Sequence, residues 1–204
     1  MRGRAWGLAV AVAVAGCGVA EDEAALIGPD ADFRAAVRIA EGQWDEVSRI
    51  AVAEGATRFA DLPVSGSGAY RGAISGWASG GIPLDYVADL TLDVDFRDLR
   101  VSGEVTNMVT DGPHGFTHPR GQVGLHGDIV RDDRGGVRIV VDGQGTLGAP
   151  GTEVDMRIDG AGSLAGADGR ALSGRHATDF TWVRGYPEGA ISRSDGVFSA
   201  VKGD

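Results

Sequence analysis

Residues Tyr86–Thr106 read YVADLTLDVDFRDLRVSGEVT. Counted by twos from Tyr86, the residues Ala88, Leu90, Leu92, Val94 and Phe96 are apolar or small, and Asp89, Thr91, Asp93 and Asp95 stand between them. Period two is the mark of a strand with one buried and one wet face. Beyond Phe96 the apolar set moves to odd positions, Leu99, Val101, Gly103 and Val105. A parity flip across Arg97 and Asp98 predicts a two-residue hairpin in which Phe96 faces Leu99. This hairpin carries no catalytic group.

The same texture extends to both sides. Gly68, Tyr70, Gly72, Ile74 and Gly76 alternate with Ala69, Arg71, Ala73, Ser75 and Trp77, a strand whose small residues suit a tightly curved sheet. Met108–Pro119, rich in turn formers, is expected to be a loop. Further alternating runs follow at Val123–Ile129, Val137–Val141, Val154–Ile158, Leu172–Trp182 and Asp195–Lys202, separated by Gly-rich turns. About eight strands joined by short turns predict a mainly β fold. The expected architecture is an eight-stranded antiparallel up-and-down β-barrel over residues 62–204, because closure removes exposed edges. Glycine supplies 34 of 204 residues, far above the typical ~7%. With no collagen-like period, these glycines read as turns and small strand positions.

One amphipathic helix is expected before the barrel, within residues 30–61. Phe33, Val37, Ala40, Trp44, Val47 and Ala51 form one stripe at helical spacing. Pro29 with Asp30 or Asp32 offers a start and Gly55 a stop. Such a stripe either packs on its own domain or docks a partner.

The N-terminus carries an address. A basic Met1–Arg4 and an apolar Ala5–Ala15 run predict an export leader over residues 1–16, too short to span a bilayer. The leader ends Val14-Ala-Gly-Cys17, which looks like a bacterial lipobox, and Cys17 is the single cysteine of the chain. The alternative is a free cysteine after an ordinary leader. The lipobox reading makes Cys17 the lipid attachment site, residues 17–29 a tether, and acyl chains the membrane anchor. Gly18, where an aspartate would resemble an inner-membrane retention signal, favours the outer membrane. The net charge of −10 argues against nucleic acid as a partner.

Several phrases carry a family resemblance. Leu62-Pro-Val-Ser-Gly-Ser-Gly-Ala-Tyr-Arg-Gly72, Ala88–Phe96 followed by Leu99–Asn107, and Tyr186-Pro-Glu-Gly189 with Asp195-Gly-Val-Phe-Ser-Ala200 occur in order. Together they resemble the barrel of transferrin-binding-protein-B-like surface lipoproteins, over residues 62–202. That resemblance implies a single eight-stranded barrel lobe on a surface lipoprotein. It also implies capture of host iron carriers, haem proteins or complement regulators, often beside a TonB-dependent receptor. The transferrin binder has two lobes, so transferrin itself is not the expected ligand.

Candidate chemistry is thin. His114, His118 and His126 fall within thirteen residues and are candidate ligands for a transition metal or haem iron. No Cys or Asp-Glu cluster completes the set, and Pro113 and Pro119 fit a plain surface loop. His176 sits in an expected strand without an evident partner. Asp93 with Asp95, and Asp155 with Asp159, put carboxylates on one strand face, where a solvated face competes with acid–base chemistry. No nucleophile elbow, phosphate loop or His-Glu-X-X-His motif occurs. The expected function is a non-enzymatic outer-membrane lipoprotein that binds a ligand or protein, with iron or haem acquisition as its setting and no resident cofactor required. The alternative is a periplasm-facing structural or assembly lipoprotein.

Overall fold

The computed structural model describes residues 26–28, 31–79, 82–112 and 116–203. Helix α1 spans Phe33–Glu54. Asp32 caps its start, its carboxylate accepting from Ala35 N at 2.7 Å, and Gly55 at φ 80° ends it. Pro29, Asp30 and Cys17 lie outside the described residues.

Eight strands follow: β1 Ser67–Ser79, β2 Leu84–Asp95, β3 Arg100–Asp111, β4 Val123–Arg131, β5 Val137–Ala149, β6 Thr152–Ala165, β7 Ala171–Arg184 and β8 Ile191–Lys202. They pair antiparallel in chain order and close as a barrel, β8 returning to β1 with Gly72 opposite Ala200. A polar crossing seals one end. Thr57 N donates to Leu164 O, Gly166 N to Gly55 O and Phe59 N to Gly135 O, each at 2.9 to 3.0 Å. Residues 55–62 thereby bridge two turns, and Leu62 plugs the opening.

The β2–β3 hairpin has the register that the parity flip demands, Val94 opposite Val101 and Asp95 opposite Arg100. Its turn is longer than predicted. The strands stop at Asp95 and Arg100, so Phe96 to Leu99 turn rather than pair. Asp95 is the cause: its carboxylate accepts from Arg97 N at 2.8 Å and Asp98 N at 3.0 Å, which folds the backbone locally. Phe96 still points into the barrel end and is buried.

Two readings are corrected on this sheet. The stretch from Met108 to Asp111, expected as loop, continues β3. Asn107 at φ 49° makes a bulge, so that Asn107 and Met108 together oppose Ala88. The bulge resets parity: Met108 and Thr110 face inward while Val109 faces out. Asp89, expected in water, is buried, accepting from Ile27 N at 2.9 Å and from Asn107 Nδ2 at 2.8 Å. The expected tether therefore ends docked on the barrel at Ile27. Beside it, outward Val87 and Val109 pack against Ala36 of α1. The other end of the helix packs Val47 and Ile50 on Ala165 and Ala171. The helix thus covers its own barrel, but its buried face is centred on Ala36, Val47 and Ile50. Trp44, placed in the stripe by spacing, is 38% exposed.

The inward side chains of β2, Tyr86, Ala88, Leu90, Leu92 and Val94, are all buried. Glycine takes inward positions elsewhere, where strands coil close to their neighbours. A Cβ on Gly127 would lie 2.0 Å from Val140 O, whereas one on outward Gly124 of the same strand meets nothing within 4 Å. Gly127→Ala is expected to lower stability by about 2 kcal/mol or more through the forced backbone shift. Gly124→Ala changes it by less than about 0.5 kcal/mol. Urea midpoints of the two variants measure the contrast, and equal midpoints would refute this account of closure.

Candidate functional site

The barrel interior is filled. Around an internal void of about 10 Å³ stand Ile74, Leu90, Leu92, Leu125, Ile158 and His176. That is room for one water at most. At one mouth Phe116 folds inward and meets Trp182 edge-on at 5.2 Å between centroids. Thr110 Oγ1 donates to Phe116 O and fixes that fold. At the other mouth the ammonium of Lys202 lies 5.4 Å from the Phe96 ring centroid.

Five polar groups in the interior form a chain, while Tyr70 Oη donates separately to Gly169 O. Ser194 Oγ lies 3.2 Å from Tyr86 Oη, and Tyr86 donates to Thr178 Oγ1 at 3.0 Å. Thr178 Oγ1 lies 3.0 Å from His176 Nδ1, and His176 Nε2 lies 3.0 Å from Ser75 O. A carbonyl only accepts, so Nε2 carries the proton and Nδ1 accepts. Glycine makes this reach feasible: a Cβ on Gly196 would meet His176 Nε2 at 2.3 Å. Burial pushes the Tyr86 phenol up to about 12 and the His176 imidazole below 6.5, the latter opposed by the Ser75 hydrogen bond and by Asp195. Both groups are neutral at pH 7, and the enclosed space beside His176 is only about 10 Å³. Their role is to satisfy one another inside an apolar wall. The inward parity of His176, shared with Phe180 and Trp182, is the sequence signal that could have found this chain.

The two described candidate histidines, His118 and His126, have separate partners. His118 Nε2 lies 2.9 Å from Ala31 O, beside the start of α1. His126 stands on the outer wall of β4, 2.9 Å from an Asp142 carboxylate oxygen, with both side chains more than half exposed. His114 lies outside the described residues. Among the described residues no group of three or more His, Cys, Asp or Glu is arranged to hold a metal ion. The acidic pairs are also dispersed along the outer wall. Asp95 caps the hairpin turn, Asp155 accepts from Thr146 Oγ1 at 2.7 Å, and Asp159 lies 3.7 Å from Arg157 Nε.

A concavity of about 1060 Å³ is bounded by His118, Arg120, Pro150 and Arg184, and a second, more apolar one lies against the helix. A groove of about 400 Å³ runs between one flank of α1 and the outer faces of β1, β2 and β8. Phe33, Val37 and Trp44 line the helix side; Trp77, Val87 and Val197 line the wall. Trp77 is 58% exposed. Glu41, Asp45 and Asp85 rim the groove, and no Lys, Arg or His is among its lining residues. In the sheet, Trp77 stands opposite Asp85 on one side and Asp195 on the other. Cross-strand partners bring their Cβ atoms to within about 5.5 Å. Sequence reasoning missed this grouping, although parity already put Trp77 and Asp85 on the outer face.

The chain matches no protein-family model and no curated protein. Among solved structures, a point mutant of the vaccine antigen transferrin-binding protein B from Haemophilus parasuis Hp5 is similar, at 16% identity and a TM-score of 0.43. The match covers 73% of this chain and 29% of that one, so this chain spans less than a third of that protein's length.

The pH dependence of stability follows from His176. Its folded-state pKa lies below the 6.5 of the unfolded chain. Below that value the unfolded state binds the extra proton, so stability is full above it and is lost as pH falls through it. The slope reaches at most about 1.4 kcal/mol per pH unit for one proton. Melting temperatures from pH 8 to 5 should show this loss, and His176→Gln, lower in absolute stability, should flatten it. An unchanged slope in the variant would assign the pH dependence to other groups.

Proposed function

We propose that this protein is a non-enzymatic, lipid-anchored binding module of the outer membrane, and that it takes its partner on the outside of its barrel. The observation that carries this reading is the filled interior: a void of about 10 Å³ excludes haem or any metabolite from the lumen. Recognition is left to the outer wall, the loops and the helix flank. The lipobox at Cys17 and the in-order phrases shared with transferrin-binding-protein-B-like lipoproteins support the membrane address. Iron or haem acquisition enters through what the partner carries, and a TonB-dependent receptor is the fitting neighbour. His118 and His126 are engaged separately, which argues against a haem ligated by that pair.

Protease treatment of intact cells, with detection of a C-terminal tag, tests the address. Loss of the tag on intact cells is expected. Survival until the outer membrane is permeabilised would replace this reading with the periplasmic structural one. Cys17→Ser is expected to abolish incorporation of labelled palmitate and to release the protein from the membrane fraction. Retention of both label and fractionation would refute the anchor.

A further inference from the structure

We propose that the groove between α1 and the β1–β2–β8 wall is a docking site for a basic peptide segment of a partner protein, with a lysine or arginine side chain seated against Trp77. The proposal rests on the reading that ligands bind outside the barrel and names the site and its chemistry. Three observations converge on it. The groove of about 400 Å³ has two partly exposed tryptophans, Trp44 and Trp77, on facing walls. Indole faces attract cations more strongly than any other side-chain ring. Carboxylates surround the position: Asp85 and Asp195 flank Trp77 across the ladder, and Glu41 and Asp45 approach from the helix.

Charge complementarity then selects the occupant. A wholly apolar partner would bury these carboxylates unpaired, which is costly. An acidic partner would meet repulsion from both sides and from the net charge of −10. A basic side chain satisfies both demands, its aliphatic stem lying on Trp44, Val37 and Val197 and its charged head on Trp77 and the acids. Of the neighbouring cations, Arg193 is held at its Nε by Asp179 at 3.1 Å, and Arg175, opposite Val197 in the ladder, is not among the groove's lining residues.

The test is a titration of the full-length protein in detergent with pentalysine, read by tryptophan fluorescence and calorimetry. Saturable, salt-sensitive binding is expected, with none for pentaglutamate. Trp77→Ala should weaken pentalysine binding about tenfold. The double variant Asp85→Asn with Asp195→Asn should weaken it to a similar degree and reduce its salt dependence. Asp142→Asn, on the wall distant from α1, should leave the affinity within about twofold, the scale expected for a screened distant charge. The groove is overturned if pentalysine fails to saturate, if Trp77→Ala binds as tightly as the parent, or if Asp142→Asn matches the double variant. Surface display and Cys17 acylation are read by other assays, so failure here leaves the membrane address standing and removes only the site.

Discussion

Closing eight strands into a barrel leaves an interior that side chains must fill to crystalline density, yet the tightest coils bring neighbouring backbones within a Cβ's reach. The protein meets this constraint by dividing the work between strands. β2 has no glycine and projects Tyr86, Leu90, Leu92 and Val94 into the lumen. Every other strand places at least one glycine where a Cβ would come within 2.6 Å of a neighbouring carbonyl oxygen, as Gly72 would with Ser199 O and Gly103 with Thr91 O. Large side chains and glycines are matched across neighbouring strands: Leu92 reaches over its partner Gly103, and Tyr86 lies against its partner Gly76. The high glycine content is therefore a packing property of a small closed barrel.

The same matching explains the polar chain. Where Gly196 and Gly76 open the wall, His176 and Tyr86 enter, and each brings a polar atom into an apolar interior. Leaving such an atom unpaired costs about 1–3 kcal/mol. Ser194, Thr178 and the Ser75 carbonyl are placed to prevent that. Buried polar chains of this kind hold one strand register, because a slip by one residue would expose every partner.

Much of the architecture was legible in the sequence because alternation is a strong signal when one face is buried. The closed antiparallel order, the hairpin register, the Asp32 cap and the Gly55 stop all follow from residue patterns. What escaped the reading has identifiable causes. The Asn107 bulge shifts parity inside a strand, so a strict period of two breaks off at Met108 and reads as a loop. Asp89 looked wet because its satisfying donors, Ile27 N and Asn107 Nδ2, come from elsewhere. Val87 and Val197 are apolar at outward parity. That is the mark of a covered outer wall, and it could have announced the docking face of α1. The histidines resisted in the opposite sense, because spacing in sequence does not bring side chains together. His118 sits at the foot of the helix and His126 on β4, facing Asp142.

The helix is also the reason the outer wall is uneven. α1 touches the barrel through Ala36 at one end and through Val47 and Ile50 at the other, and Trp44 between them faces the flank. A wall selected only for stability would fill that flank with aliphatic side chains. It would also avoid setting Asp85 opposite Asp111, since like charges directly across a ladder repel. Instead the surface keeps an exposed indole between carboxylates while the interior, a few ångströms away, satisfies nearly every polar atom. Local departures from the rules that the rest of a fold obeys tend to mark where binding, not stability, set the choice of residue. In this barrel that departure is concentrated on the strip of wall left open beside α1.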